Sequence, residues 1–184
     1  YRAPTVPLTV EPLPDESTLG AHYDSAWARK LPARYARFFL TEGVVRVEQA
    51  VDTQGRKTPA VLRDAVINAR LQTGLANPLD EAILAAGEAR GIDSTGCQKV
   101  DEIPYDFTRK RLSVVVREPG LESAPRLITK GAVREVLAVC ETYASDAGAK
   151  PLDAMQRAQL EARFRAWSEQ GYRVLAVATK TLPE

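Results

Sequence analysis

The fold is decided by the stretch Arg111-Leu112-Ser113-Val114-Val115-Val116-Arg117, which is rich in β-branched side chains and predicts a β-strand. Residues 126–130 follow a loop that begins at Pro119-Gly120, and we interpret them as the return strand of a hairpin. Residues 173–179 are apolar on both faces, so we expect this strand to lie centrally in a sheet. Further strands are predicted at 44–51 and 100–105.

Two helices are predicted between the first strand and the hairpin. Thr58-Pro59 and Asn77-Pro78 each place a capping side chain before a proline, which is typical of a helix start. The first helix is expected to stop at Gly74, and the second at Gly87 or Gly91.

Two more helices complete the predicted fold. One follows Gly131 and carries apolar residues at helical spacing as far as Cys140. The other begins after Asp153 and ends at Gly171. This order of elements predicts an α+β fold, in which helices pack on a largely antiparallel sheet.

Residues 1–43 do not follow this pattern, and we treat them as an unassigned segment before a domain at 44–184. Prolines recur through residues 1–20 and predict an extended or disordered arm. Residues 22–39 alternate aromatic and basic side chains, and we interpret them as two short helical pieces broken near Pro32. Such a stretch could contact a membrane surface or an acidic partner, or pack on the domain.

The composition narrows the classes of function. Lys and Arg number 25 against 24 Asp and Glu, and this near-balance argues against a nucleic acid partner. Cys97, Cys140 and His22 lack the spacing of metal ligands, and we expect two free thiols in a reducing compartment. The sequence has no apolar run of the roughly 18–20 residues that a membrane span needs, so we expect no direct membrane insertion.

Four segments distinguish this sequence from a generic α+β domain: residues 77–84, residues 101–116, Thr129-Lys130-Gly131-Ala132, and residues 171–180. Their residue types, order and spacing resemble the nucleotide-binding domain of P-type cation-transporting ATPases. Residues 101–116 are most similar to the bacterial magnesium pumps. The resemblance runs from about Val44 to Pro183, so it implies that 44–184 is the nucleotide-binding domain.

The resemblance implies that ATP binds in a cleft without a glycine-rich phosphate loop. In the family, adenine stacks on an aromatic ring, usually Phe, at the position of Tyr105. Phe107 is the second candidate, because alternation along a strand would put both rings on one face. A phenol still offers a flat face for stacking. Ordinary packing is the alternative for either ring.

Three basic residues match cleft residues of the family. Lys110 matches a cleft lysine, and alternation would put it on the strand face opposite Arg109 and Arg111; the alternative is an exposed basic strand edge. Lys130 matches the lysine of Lys-Gly-Ala and is expected at a strand end before a helix N-terminus, where an anion is favoured. The alternative is a solvated turn lysine. Arg173 matches an arginine near the phosphates.

The remaining site residues are Gly131, Asn77 and Asp80. Gly131 has no side chain, which would let the purine approach the backbone. In related pumps an acidic residue near Asn77 and Asp80 contacts the adenine amino group. We interpret both first as helix-capping residues and second as ligand contacts.

The resemblance implies a nucleotide-binding part of a pump rather than a complete enzyme. Asp-Lys-Thr-Gly-Thr, which holds the phosphorylated aspartate in the family, does not occur in the sequence. We therefore expect ATP, with Mg²⁺ carried by the nucleotide, to be bound without turnover by this chain alone. The expected partners are the phosphorylation and membrane domains of a pump for a divalent cation, Mg²⁺ by the resemblance, with this domain on the cytoplasmic side of the plasma membrane. The alternatives are a free-standing nucleotide-sensing or regulatory module, and an interaction domain with a degenerate cleft.

Overall fold

The computed structural model describes residues 32–41, 44–74, 77–119 and 124–183. In chain order its elements are β1 (Pro32–Thr41), β2 (Val44–Val51), α1 (Pro59–Leu71), α2 (Pro78–Ala89), β3 (Gln98–Ile103), β4 (Arg111–Arg117), β5 (Arg126–Ala132), α3 (Val133–Leu137), β6 (Thr142–Ser145), β7 (Gly148–Pro151), α4 (Ala154–Glu169) and β8 (Arg173–Thr181). The predicted α+β class is confirmed.

Over the described residues, the strands form one eight-stranded sheet. The order is β3-β4-β5-β8-β1-β6-β7, and β2 also pairs with β1. The pairing is antiparallel except between β1 and β6, which are parallel. The fourth strand of this path is β8, so its predicted central position is confirmed. Its apolar residues are buried on both faces because helices pack on each side of the sheet: Ala176 and Ala178 lie in one core and Val177 in the other.

Helices cover both faces of the sheet. In β4, Val114 and Val116 pack with α1 and α2, while Val115 packs on the opposite face with α3 and α4. Side chains alternate between faces along a strand, so one apolar run can supply both cores. We call the first side the α1–α2 face, because Lys130 and the other central site residues lie there.

The two proline-initiated helices begin where the sequence predicts. The N-caps are Thr58 for α1 and Asn77 for α2. The second helix continues through Gly87, because α1 crosses it there: a Cβ at Gly87 would lie 2.5 Å from Val66 Cγ2. Gly91, with φ of +62°, follows the helix end.

The helical prediction for residues 22–39 is wrong within the described part, because β1 is extended from Pro32 to Thr41. Tyr35 lies opposite Val51 of β2 on one side and Ala176 of β8 on the other. Backbone pairing with β2, the next strand in the chain, and with the distant β8 outweighs a local helical pattern. The sheet thus includes residues before the predicted domain start at 44. Residues 1–31, with the predicted arm and His22, lie outside the described residues.

Two smaller features also differ from the predictions. The hairpin of β6 and β7 was not predicted; its turn needs Gly148, which has φ of +95°. The third helix ends at Leu137, so Cys140 follows it rather than lying on it. Burial raises the pKa of the Cys140 thiol to about 12. Both Cys97 and Cys140 are free, as expected.

Candidate functional site

A buried ion pair joins α2 to the middle of the sheet. The Lys130 ammonium, in β5, donates to Oδ1 of Asp80 in the first turn of α2. Their side chains are only 5% and 6% exposed. Burial lowers the pKa of Lys130 even though the Asp80 carboxylate acts against this shift. The pair lies on the α1–α2 face, because Lys130 is opposite Leu112 of β4, which packs in that core.

Two amides bind the second carboxylate oxygen of Asp80. Asn77 Nδ2 donates to Oδ2 at 2.6 Å, and the Gln72 side-chain amide donates to the same oxygen. Asn77 is also the N-cap of α2, because its Oδ1 accepts from the backbone N–H groups of Leu79 at 3.1 Å and Asp80 at 3.0 Å. The capping interpretation is thus confirmed for Asn77. It is wrong for Asp80, whose carboxylate accepts from three side chains.

Two expectations about the position of Lys130 are wrong: that it ends a strand before a helix N-terminus, and that it is a solvated turn lysine. It does not end a strand, because β5 continues to Ala132, and the helix that follows has only five residues. Lys130 therefore does not lie at the N-terminus of a helix that could bind an anion. Nor is it a solvated turn lysine, because Asp80 and the α1–α2 core enclose it.

The end of α1 is fixed to β3 beside this ion pair. Glu102 accepts from the Thr73 backbone N–H at 3.0 Å and from its hydroxyl at 2.8 Å, and the Lys99 ammonium donates to it at 3.0 Å. Burial raises the pKa of Glu102, but the bonds from Thr73 and Lys99 outweigh this effect and hold the pKa below its usual value. Residues 72 and 73 thus connect the ion pair to the edge strand of the sheet.

An exposed aromatic turn follows β3, and we call residues 104–110 the aromatic turn. Tyr105 is 49% exposed and Phe107 is 87% exposed. Their rings meet edge to face, with centroids 5.6 Å apart and planes at 89°. The prediction that they share one strand face is wrong, because β3 ends at Ile103 and Asp106 accepts from Thr108 N at 2.8 Å and Arg109 N at 2.6 Å to close a turn.

The aromatic turn ends against β5. Lys110 has φ of +48° and precedes β4, so the predicted strand alternation around it is wrong. Its carbonyl accepts from Ala132 N at 2.9 Å. A Cβ on Gly131 would lie 2.5 Å from this carbonyl oxygen and from Arg111 Cβ, so glycine is required for the close approach. The Lys110 side chain is exposed.

Arg173 is the exposed first residue of β8. Val177 of β8 lies opposite Lys130, and Arg173 is four residues earlier on the same strand. Even spacing puts Arg173 on the same face as Lys130, about 13 Å along the strand from it at the usual rise per residue. Arg173 therefore lies nearer the end of the sheet that holds the aromatic turn.

The structure brings the predicted residues together in part. Asn77, Asp80 and Lys130 form one network, Tyr105 contacts Phe107, and Lys110 adjoins Gly131 through the backbone. Sequence reasoning missed Gln72 and Glu102. It also missed the 2.7 Å hydrogen bond between the buried hydroxyls of Ser113 and Thr129. No sequence signal marks these contacts, because each partner lies on a different element.

Among the described residues, no group of His, Cys, Asp and Glu side chains could hold a metal ion. Across the same ranges, no helix combines the length and apolar character of a membrane span.

The fold and this site define the class of protein. Residues 62–184 match the profile of the family described as P-type ATPase, cytoplasmic domain N. The chain belongs to that family, which confirms the resemblance found in the sequence.

Individual relatives show which members of this family the chain is similar to. Magnesium-transporting ATPase, P-type 1 of Escherichia coli (strain K12) is 38% identical over 146 residues, and the protein of that name from Salmonella typhimurium (strain 14028s / SGSC 2262) is 38% identical over 151 residues. Each alignment covers 78% of this chain and 16% of the relative. Calcium-transporting ATPase 3, endoplasmic reticulum-type, of Arabidopsis thaliana is 32% identical over 88 residues, which are 47% of this chain and 8% of that protein. The chain thus spans about a sixth of the length of the magnesium-transporting relatives it matches.

Proposed function

We propose that this chain binds ATP, with Mg²⁺ carried by the nucleotide, in a cleft on the α1–α2 face. The cleft is bounded by the start of α2, the end of β5 and the aromatic turn. The family to which the chain belongs is the nucleotide-binding part of ATP-driven pumps, and the polar network lies at the segments that carry the resemblance.

One observation carries this proposal: two other segments, the start of α2 and the aromatic turn, converge on β5. Asp80 bonds Lys130, although 50 residues separate them. The Lys110 carbonyl accepts from Ala132 N, two residues beyond Lys130. A carboxylate, a buried ammonium and an exposed aromatic turn are thereby held around one strand end, and ligand sites commonly combine apolar surface with a few placed polar groups.

Five side chains have a role in the proposed complex. Tyr105 supplies the face on which adenine stacks, a contact worth about 1–3 kcal/mol for a base on an aromatic ring. Asp80 accepts a hydrogen bond from the adenine amino group, and Lys130 fixes the position of that carboxylate. Lys110 and Arg173 are exposed cations toward the end of the sheet, where the triphosphate would extend.

The role in a larger protein follows from the relatives. We propose that the chain presents ATP to a phosphorylation domain and works with a membrane domain, on the cytoplasmic side of the plasma membrane. The relatives covering most of this chain are named magnesium-transporting ATPases, so the proposed cargo is a divalent cation, namely Mg²⁺. By itself the chain is proposed to bind ATP without hydrolysing it.

The test is a titration of the ¹⁵N-labelled chain with MgATP, followed by NMR. The expected shifts cluster at Tyr105, Phe107, Lys110 and residues 130–131, and calorimetry should give one site per chain. Tyr105→Ala should weaken binding roughly 5- to 150-fold, since a base stack is worth about 1–3 kcal/mol. Tyr143→Ala, which removes a half-buried Tyr from the core on the opposite face, is the control. No binding, or shifts confined to the α3–α4 side, would contradict the proposal and favour the interaction-domain alternative.

A further inference from the structure

The Asp80 carboxylate is covered in this structure. Asp80 is 4% exposed, and its acceptor positions are turned toward Lys130, Asn77 and Gln72. In the proposed ATP complex, an incoming amino group must reach this carboxylate. At least one of the three side chains therefore has to move.

The three donors differ in how easily they can leave. Lys130 is buried, and its movement away from Asp80 would leave an unpaired ammonium in the core. Asn77 accepts two backbone N–H groups as the cap of α2, so its departure would also uncap the helix. Gln72 is only half-buried and holds Asp80 through its side-chain amide alone.

Gln72 can move without disturbing the backbone. It is the C-cap of α1, and its backbone N–H donates to Asn68 O at 3.2 Å. The next residue is held by Glu102 at 3.0 Å. Rotation of the Gln72 side chain about its own bonds leaves both of these interactions in place.

Gln72 also offers the chemistry of the ligand it would replace. A glutamine amide and the exocyclic amine of adenine are both neutral NH₂ donors. Exchange of one for the other leaves the carboxylate oxygen with the same number of hydrogen bonds. A 6-oxo purine presents an acceptor at that position, and it cannot replace the amide.

We infer that Gln72 is an internal competitor for the purine amino group: its amide occupies Asp80 in the free domain and is displaced when a 6-aminopurine nucleotide binds. This rests on the proposed function of ATP binding. The exchange makes the site selective for 6-aminopurines, because only they restore the bond that Gln72 gives up. It also lowers the affinity for ATP, because binding must first break an existing bond.

The test compares Gln72→Met with the wild-type 184-residue chain by calorimetry against MgATP and MgITP. Gln72→Met should bind ATP roughly 10- to 150-fold more tightly, the value of one hydrogen bond to a charged group. Its melting temperature should fall, because the free carboxylate loses a donor. Affinity for ITP should not change. Opposite changes in stability and ATP affinity are the signature, since a merely structural glutamine would lower both.

The matched control is Gln170→Met, which replaces the exposed C-cap glutamine of α4. It should alter neither affinity. The inference is overturned if Gln72→Met binds ATP equally or more weakly, or if ITP gains as much as ATP, since an equal gain would mean simple removal of bulk. If the wild type binds no ATP at all, the proposed function itself fails, and this inference fails with it.

A second measurement needs no variant. The side-chain amide protons of Gln72 should exchange slowly with water in the free wild-type chain, and faster when ATP saturates the site. Exchange that stays equally slow at saturation would show that the amide remains on Asp80, and it would overturn the displacement.

Discussion

Replacing Lys130 with methionine should unfold the domain at markedly lower denaturant concentration. The substitution keeps an unbranched side chain of similar length but removes the ammonium, so the Asp80 carboxylate stays buried without its counter-charge. Breaking one partner of a buried pair costs about 3–5 kcal/mol. Because Asn77 and Gln72 still donate to Asp80, we expect the lower end, about 3 kcal/mol.

The assay is equilibrium unfolding in urea, monitored by tryptophan fluorescence, to which Trp167 of α4, packed against the core, contributes. With an m-value of about 2 kcal/mol per molar urea, the midpoint should fall by about 1.5 M. The control is Lys99→Met, which makes the same chemical change in a partly exposed pair with Glu102. That variant should lose less than about 1 kcal/mol.

The double variant Lys130→Met/Asp80→Asn separates the two contributions. If the cost of Lys130→Met comes from an unpaired buried charge, removing that charge should return a large part of the lost stability. A loss below about 1 kcal/mol in Lys130→Met, or no recovery in the double variant, would refute the argument that this pair is buried and coupled. Lys130→Glu should be worse still, because it puts two carboxylates together.

Three further predictions concern the surroundings of the pair. Gly131→Ala should destabilise the domain by about 1–3 kcal/mol in urea unfolding, because its Cβ would lie 2.5 Å from the carbonyl oxygen of Lys110. Gly148→Ala, whose Cβ meets nothing within 4 Å, should cost only the strain of a positive φ. Asn77→Ala should cost about 1–2 kcal/mol through loss of the cap and of one donor to Asp80; a cost no larger than that of Thr58→Ala, which removes a cap with one 3.4 Å bond, would contradict this. The lowered pKa of Glu102 means that its stabilisation is present above the pKa of the unfolded chain and is lost as pH falls through the lower folded value. Below about pH 4 the wild type should therefore lose stability faster than Glu102→Gln in acid titrations, and parallel curves would disprove it.

Features with local causes were predictable from the sequence. The strand Arg111–Arg117 has the predicted bounds, and the caps Thr58 and Asn77 start helices where proline follows them. A β-branched run and a cap–proline pair act over a few residues. They therefore determine local structure whatever the rest of the chain does.

Features with distant causes were not predictable. β1 is extended because β8, at the other end of the chain, pairs with it along with the adjacent β2, and no local pattern in residues 32–41 encodes the pairing with β8. Lys130 is buried because Asp80 lies 50 residues away in sequence and neutralises it in space. The motif thus singled out Lys130, but its burial and the contact of Gln72 with Asp80 follow only from packing.

The position of β1 has a practical consequence for recombinant work. The family profile begins at residue 62, so a fragment cut to that match would lack both β1 and β2. It would leave the edge of β8 that pairs with β1 open, from Arg173 to Ala178. An open, apolar strand edge recruits other chains. Such a fragment should precipitate or form oligomers, whereas a version that retains residues 32–51 should give monodisperse protein on a sizing column.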